Sequence, residues 1–143
     1  MDGSLKHEHS SEASGGFEME LDKVVTAIKS IPSTSFLEEA MYLYSVVKQL
    51  PENAIVVELG TGMGRCTAAM GLASLGTNRK IYTIDSYVQG ARFSKETSKD
   101  WSRVSAEDNI DRLGLTGHVT FPKLNTDDPD ALLVIPTPID FIF

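Results

Sequence analysis

The residues best suited to chemistry cluster in Glu58-Leu59-Gly60-Thr61-Gly62-Met63-Gly64, with a second acid, Asp85, further along the chain. Alternate glycines directly after a β-branched run let the backbone turn tightly, and they let a ligand approach where a side chain would clash. Cys66 and Thr67 fall at the start of the helix that must follow, where free N–H groups favour an anionic group. Asp85 lies 21 residues beyond Gly64, at the end of the next apolar strand. A carboxylate there accepts hydrogen bonds from both hydroxyls of a ribose.

Two adenosine cofactors suit such an arrangement. The nicotinamide pattern, G-x-G-x-x-G, needs its third glycine at position 65, which is Arg here; the third glycine comes one residue early, at Gly64. A pyrophosphate also needs no acid ahead of the loop, whereas Glu58 sits two residues before Gly60. An acid there suits a ligand carrying an ammonium group, as the methionine end of S-adenosylmethionine does. A nicotinamide-dependent oxidoreductase is the alternative reading, and a truncated chain that binds no cofactor is the non-enzymatic one.

The elements that must position these residues follow from period and punctuation. Residues 1–16 are polar and rich in Gly and Ser and read as a disordered tail, with His7 and His9 solvated in it. From Phe17 to Ile31 the apolar residues repeat at helical steps, stopping at Pro32. Ser35 with Glu38 reads as a capping box for a second helix that ends at Pro51. Ala54–Leu59 reads as a strand, Cys66–Leu75 as a helix and Lys80–Ile84 as a second strand, together a βαβ unit. Residues 86–104 read as loop with some helix, bearing Phe93 and Trp101 as isolated aromatics. Residues 105–114 read as a helix capped by Gly114. Val119–Leu124 is a third strand, placed at an edge by Pro122, Ala131–Ile135 a short helical turn, and Ile139–Phe143 a fourth strand. The class is α/β. A strand as apolar as the fourth belongs inside a covered sheet, so the chain is expected to be truncated after it, or to self-associate through it.

The motifs resemble those of class I S-adenosylmethionine-dependent methyltransferases. Glu58 to Gly64 is similar to their E-x-G-x-G-x-G motif and Asp85 to their second, acidic motif. Phe36-Leu37-Glu38-Glu39 resembles the start of the helix ahead of the first strand, and Glu107 to Leu115 with His118 to Phe121 the helix and strand further on. The likeness spans about residues 31–143 and is nearest to the small-molecule O-methyltransferase branch. It implies a Rossmann-like parallel sheet in order 3-2-1-4, present here as the cofactor-binding half over residues 17–143. It further implies that Glu58 holds the cofactor's amino group, that Gly60, Thr61, Gly62 and Gly64 form the loop, and that Cys66 and Thr67 meet the carboxylate. Asp85 would bind the ribose with Ser86 flanking it, and Asn125 and Thr126 would read the adenine. The expected acceptor is a small-molecule hydroxyl. The ligands of any divalent metal would lie beyond residue 143, and no complete catalytic set is expected within the chain.

Composition limits the rest. Thirteen Lys and Arg against 20 Asp and Glu give a net charge of −7, which excludes a nucleic-acid backbone as main partner. No apolar run is long enough for a membrane span. The one cysteine, Cys66, permits no internal disulfide and suits a reducing cytoplasm.

Overall fold

The computed structural model describes residues 12–87, 103–122, 124 and 129–143, with side chains from Glu20 onward. Its elements run α1 (Glu12–Lys29), α2 (Leu37–Lys48), β1 (Ile55–Leu59), α3 (Arg65–Ser74), β2 (Lys80–Ile84), α4 (Arg103–Arg112), β3 (Val119–Thr120), a 3-10 turn (Ala131–Val134) and β4 (Phe141–Ile142). Helix α1 begins at Glu12, so residues 12–16 are helical rather than part of a tail. His7, His9, Phe93, Trp101, Asn125 and Thr126 lie outside the described residues.

The four strands form one parallel sheet in the order β3-β2-β1-β4. Parallel neighbours require a crossover, and α3 supplies it between β1 and β2. Side chains alternate across a strand, so Val56 and Glu58 face one side of β1 while Ile55 and Val57 face the other. The first side packs against Val24 and Ile28 of α1, Leu43 and Val47 of α2, and Ala69 and Met70 of α3. On the second side Val57 and Ile84 meet Ala131 and Ile135. Leu133 is 79% exposed there and Ile142 49%.

Strand β3 is shorter than expected. Pro122 has no N–H to extend the ladder, and pairing stops after Tyr82↔Thr120. The expected capping box is not formed: Phe36 is the N-cap of α2, with no side-chain cap bond. Close by, Arg65 Nε donates to the Ile31 carbonyl at 3.0 Å and Nη1 to the Ser35 carbonyl at 2.9 Å. The guanidinium ties the bent segment 31–35 to the start of α3. Asp140 accepts the Ile55 N–H at 2.8 Å, at the opening of β1 and remote from the loop, and so fastens β4.

A second arginine locks the helices together. Arg79 is buried, and its guanidinium donates to the carbonyls of Lys48, Leu50, Pro51 and Ala73, the closing turns of α2 and α3. The Pro51 carbonyl also accepts the Ala54 N–H, but the Ala73 carbonyl is buried, and losing the fork leaves it unpaired at the end of α3. Arg79→Ala is expected to lower unfolding free energy by about 3 kcal/mol, read from the urea midpoint, and Arg79→Lys to recover little of it.

Candidate functional site

The glycine loop crosses the carboxyl ends of β1 and β2, where ligands bind in open α/β sheets. Gly60, Gly62 and Gly64 all have positive φ, of 103°, 54° and 89°. Among the described residues a side chain at Gly60 would meet no atom within 4 Å, whereas Gly64 packs toward Ala106 and Ile110 of α4. The loop is pinned to the second strand by Asp85, whose Oδ2 accepts the Gly62 N–H at 2.8 Å. Its Oδ1 accepts the Tyr87 N–H at 2.7 Å.

Beneath the loop lies a buried polar chain. Glu58 is fully buried; its Oε2 accepts from Thr67 Oγ1 at 2.5 Å and from Thr83 Oγ1 at 2.6 Å. Since Thr83 gives its proton to Glu58, Thr61 donates to Thr83, at 2.5 Å. Glu58 Oε1 has no partner among the described residues. Burial pushes the Glu58 carboxyl up to about 7; the two threonine hydrogen bonds oppose that shift and the nearby Asp85 charge adds to it. An acid held there with one bare oxygen fits a ligand bearing an ammonium group, which would both pair with it and draw off its proton.

Among the described residues, a cavity of about 320 Å³ opens beside Asp85. Thr83, Asp85, Ser86 and Tyr87 line it together with Arg103, Phe121, Pro122 and Leu124. That is within the roughly 300–1,000 Å³ of small-molecule sites. Arg103 is fixed at its rim by Glu107 at 2.6 Å and by the Phe121 carbonyl at 2.6 Å.

The structure thus gathers Glu58, Gly60, Thr61, Gly62, Gly64, Thr67, Asp85 and Ser86 at one end of the sheet. Thr67 is turned inward onto Glu58, and the Cys66 thiol is buried and pushed up to about 11 by that burial, with the Glu58 charge adding to the effect. A helix start therefore does not activate this thiol. Sequence reasoning missed Thr83, Tyr87 and Arg103. Thr83 could have been found, because parallel register sets it directly opposite Glu58. Among the described residues no three His, Cys, Asp or Glu side chains group as metal ligands, and no helix is long and apolar enough to cross a membrane.

The fold is that of Rossmann-like methyltransferases. Similar solved structures include cofactor-bound Rv0187 from MTB, with TM-score 0.57 and 15% identity over 96% of this chain and 61% of that one. An O-methyltransferase from Bacillus cereus in complex with SAH matches with TM-score 0.56 and 21% identity, over 87% of this chain and 53% of that one. A candidate O-methyltransferase from Klebsiella pneumoniae matches with TM-score 0.54 and 19% identity, over 87% and 51%. The chain therefore spans between half and three fifths of the length of these proteins. No family model matches the sequence, and no curated protein does.

Proposed function

We propose that this chain carries the S-adenosylmethionine-binding part of a methyltransferase acting on a small-molecule hydroxyl. The observation that carries the reading is the bare, fully buried oxygen of Glu58 at the foot of a glycine loop that Asp85 ties down. In this reading Glu58 holds the amino group, Gly60 admits the ligand's backbone-facing edge, Asp85 and Ser86 hold the ribose, and the cavity takes the base. Asn125 and Thr126 remain the proposed adenine readers. When bound, the cofactor supplies a methyl group on a sulfonium, an already good leaving group. The protein's part is to fix methyl and acceptor in line, which is worth several kcal/mol.

The nicotinamide alternative is disfavoured by Arg65. Its guanidinium is engaged with two carbonyls in place of the third glycine of that pattern. Support for methyl transfer comes from the neighbours in complex with cofactor or SAH. A cytoplasmic location and the absence of nucleic-acid or membrane partners belong to the same proposal. So does self-association through the exposed residues around β4.

Calorimetric titration with S-adenosylhomocysteine, with NAD as control, tests the reading. Saturable binding of the homocysteine compound alone is expected; binding of NAD alone would replace the reading with an oxidoreductase.

A further inference from the structure

Tyr87 stands out in the cleft for three independent reasons. It is the one non-glycine among the described residues with positive φ, 56°, a conformation that costs a side-chain-bearing residue about 1 kcal/mol or more. The turn is held by Asp85, which spends one carboxylate oxygen on the Tyr87 N–H. The ring is thereby directed back into the cavity wall, where its hydroxyl is buried. That hydroxyl has no hydrogen-bond partner among the described residues, and Thr61, the nearest hydroxyl acting on it, gives its own proton to Thr83. A buried phenol normally finds a partner, and strain kept at a cleft marks a residue fixed for a purpose.

The surroundings decide what the hydroxyl would bind. Asp85, Arg103 and Glu58 all act on it electrostatically; the Arg103 guanidinium is already engaged by Glu107 and the Phe121 carbonyl, which leaves the carboxylates to disfavour an anion. A neutral acceptor that itself donates to a carboxylate avoids that conflict. A ribose hydroxyl is such a group: its proton goes to Asp85 while its oxygen accepts from Tyr87. The geometry points to Tyr87 as a recognition residue for the ribose, with Asp85 acting twice, on the sugar directly and on the Tyr87 backbone. This rests on the cofactor reading above.

The test is binding of adenosine, 2′-deoxyadenosine and 3′-deoxyadenosine to the wild type and to Tyr87→Phe, a change that removes the hydroxyl and keeps the ring. The variant is expected to bind adenosine about five- to tenfold more weakly. With one of the two deoxynucleosides, variant and wild type are expected to bind alike, because the missing acceptor removes the interaction from both. Equal binding of adenosine by both proteins would overturn the inference and leave the cofactor reading standing. A similar loss with all three nucleosides would also overturn it, as would a lower melting temperature that accounts for the weakening. If the wild type binds neither adenosine nor S-adenosylhomocysteine, the cofactor reading fails and the inference with it.

Discussion

Asp85→Ala is expected to weaken binding of S-adenosylhomocysteine at least about 100-fold. Hydrogen bonds to a charged group contribute roughly 1.5–3 kcal/mol each, and a ribose offers two. The effect reaches further than the sugar, because the same carboxylate holds the N–H groups of Gly62 and Tyr87. Removing it frees the glycine loop on one side and the Tyr87 turn on the other, so the ligand must reorder both. Asp85→Asn retains an acceptor oxygen and is expected to lose only about tenfold. Calorimetry on both variants, with thermal melts to separate folding from binding, checks the order. Unchanged affinity in Asp85→Ala would remove the ribose assignment.

The second large effect concerns pH and Glu58. Its carboxyl, raised by burial to about 7, is mostly protonated below neutrality in the ligand-free protein. An ammonium group demands the ionised form. Binding below pH 7 therefore carries the cost of removing a proton, and affinity should fall up to tenfold per pH unit there, levelling above about 8. Glu58→Gln is expected to bind weakly and without that dependence. Stability runs the other way. The folded value lies above the ordinary 4.5, so the folded chain holds the proton more tightly than the unfolded chain does. That contribution is complete below pH 4.5 and is lost as pH rises through about 7, a decline on the order of 3 kcal/mol. Glu58→Gln keeps an oxygen for Thr67 and Thr83 and should be the more stable protein at pH 8. Equal pH slopes in wild type and variant, in denaturant titrations from pH 5 to 8, would contradict this.

The sequence made much of this legible because the first βαβ unit is governed by local rules. Strand β2 falls on Lys80–Ile84 as its β-branched run predicts, and Gly114, with φ of 70°, closes its helix as expected. Pro122 correctly placed β3 at an edge. What could not be read depends on partners distant in the chain. Helix α2 starts one residue past Ser35, at the N-cap Phe36, and Arg65, 30 residues away, holds the Ser35 carbonyl, a contact no local spacing announces. Thr83 joins the site only through the register of β2 against Glu58. Tyr87 sits in a stretch that reads as loop, and its positive φ has no sequence signature such as Gly or Asn. The rim formed by Arg103 and Phe121 likewise exists only once α4 and β3 are packed beside β2.

The central claim, that the glycine loop and Asp85 form one adenosyl-cofactor site, is tested most directly by amide NMR of the labelled chain titrated with S-adenosylhomocysteine. The account predicts saturable shifts concentrated at Gly60, Gly62, Gly64, Asp85 and Tyr87, with α1 and the outer face of β4 unmoved. Saturation with shifts confined to other parts of the chain, or no shifts at all, would contradict it.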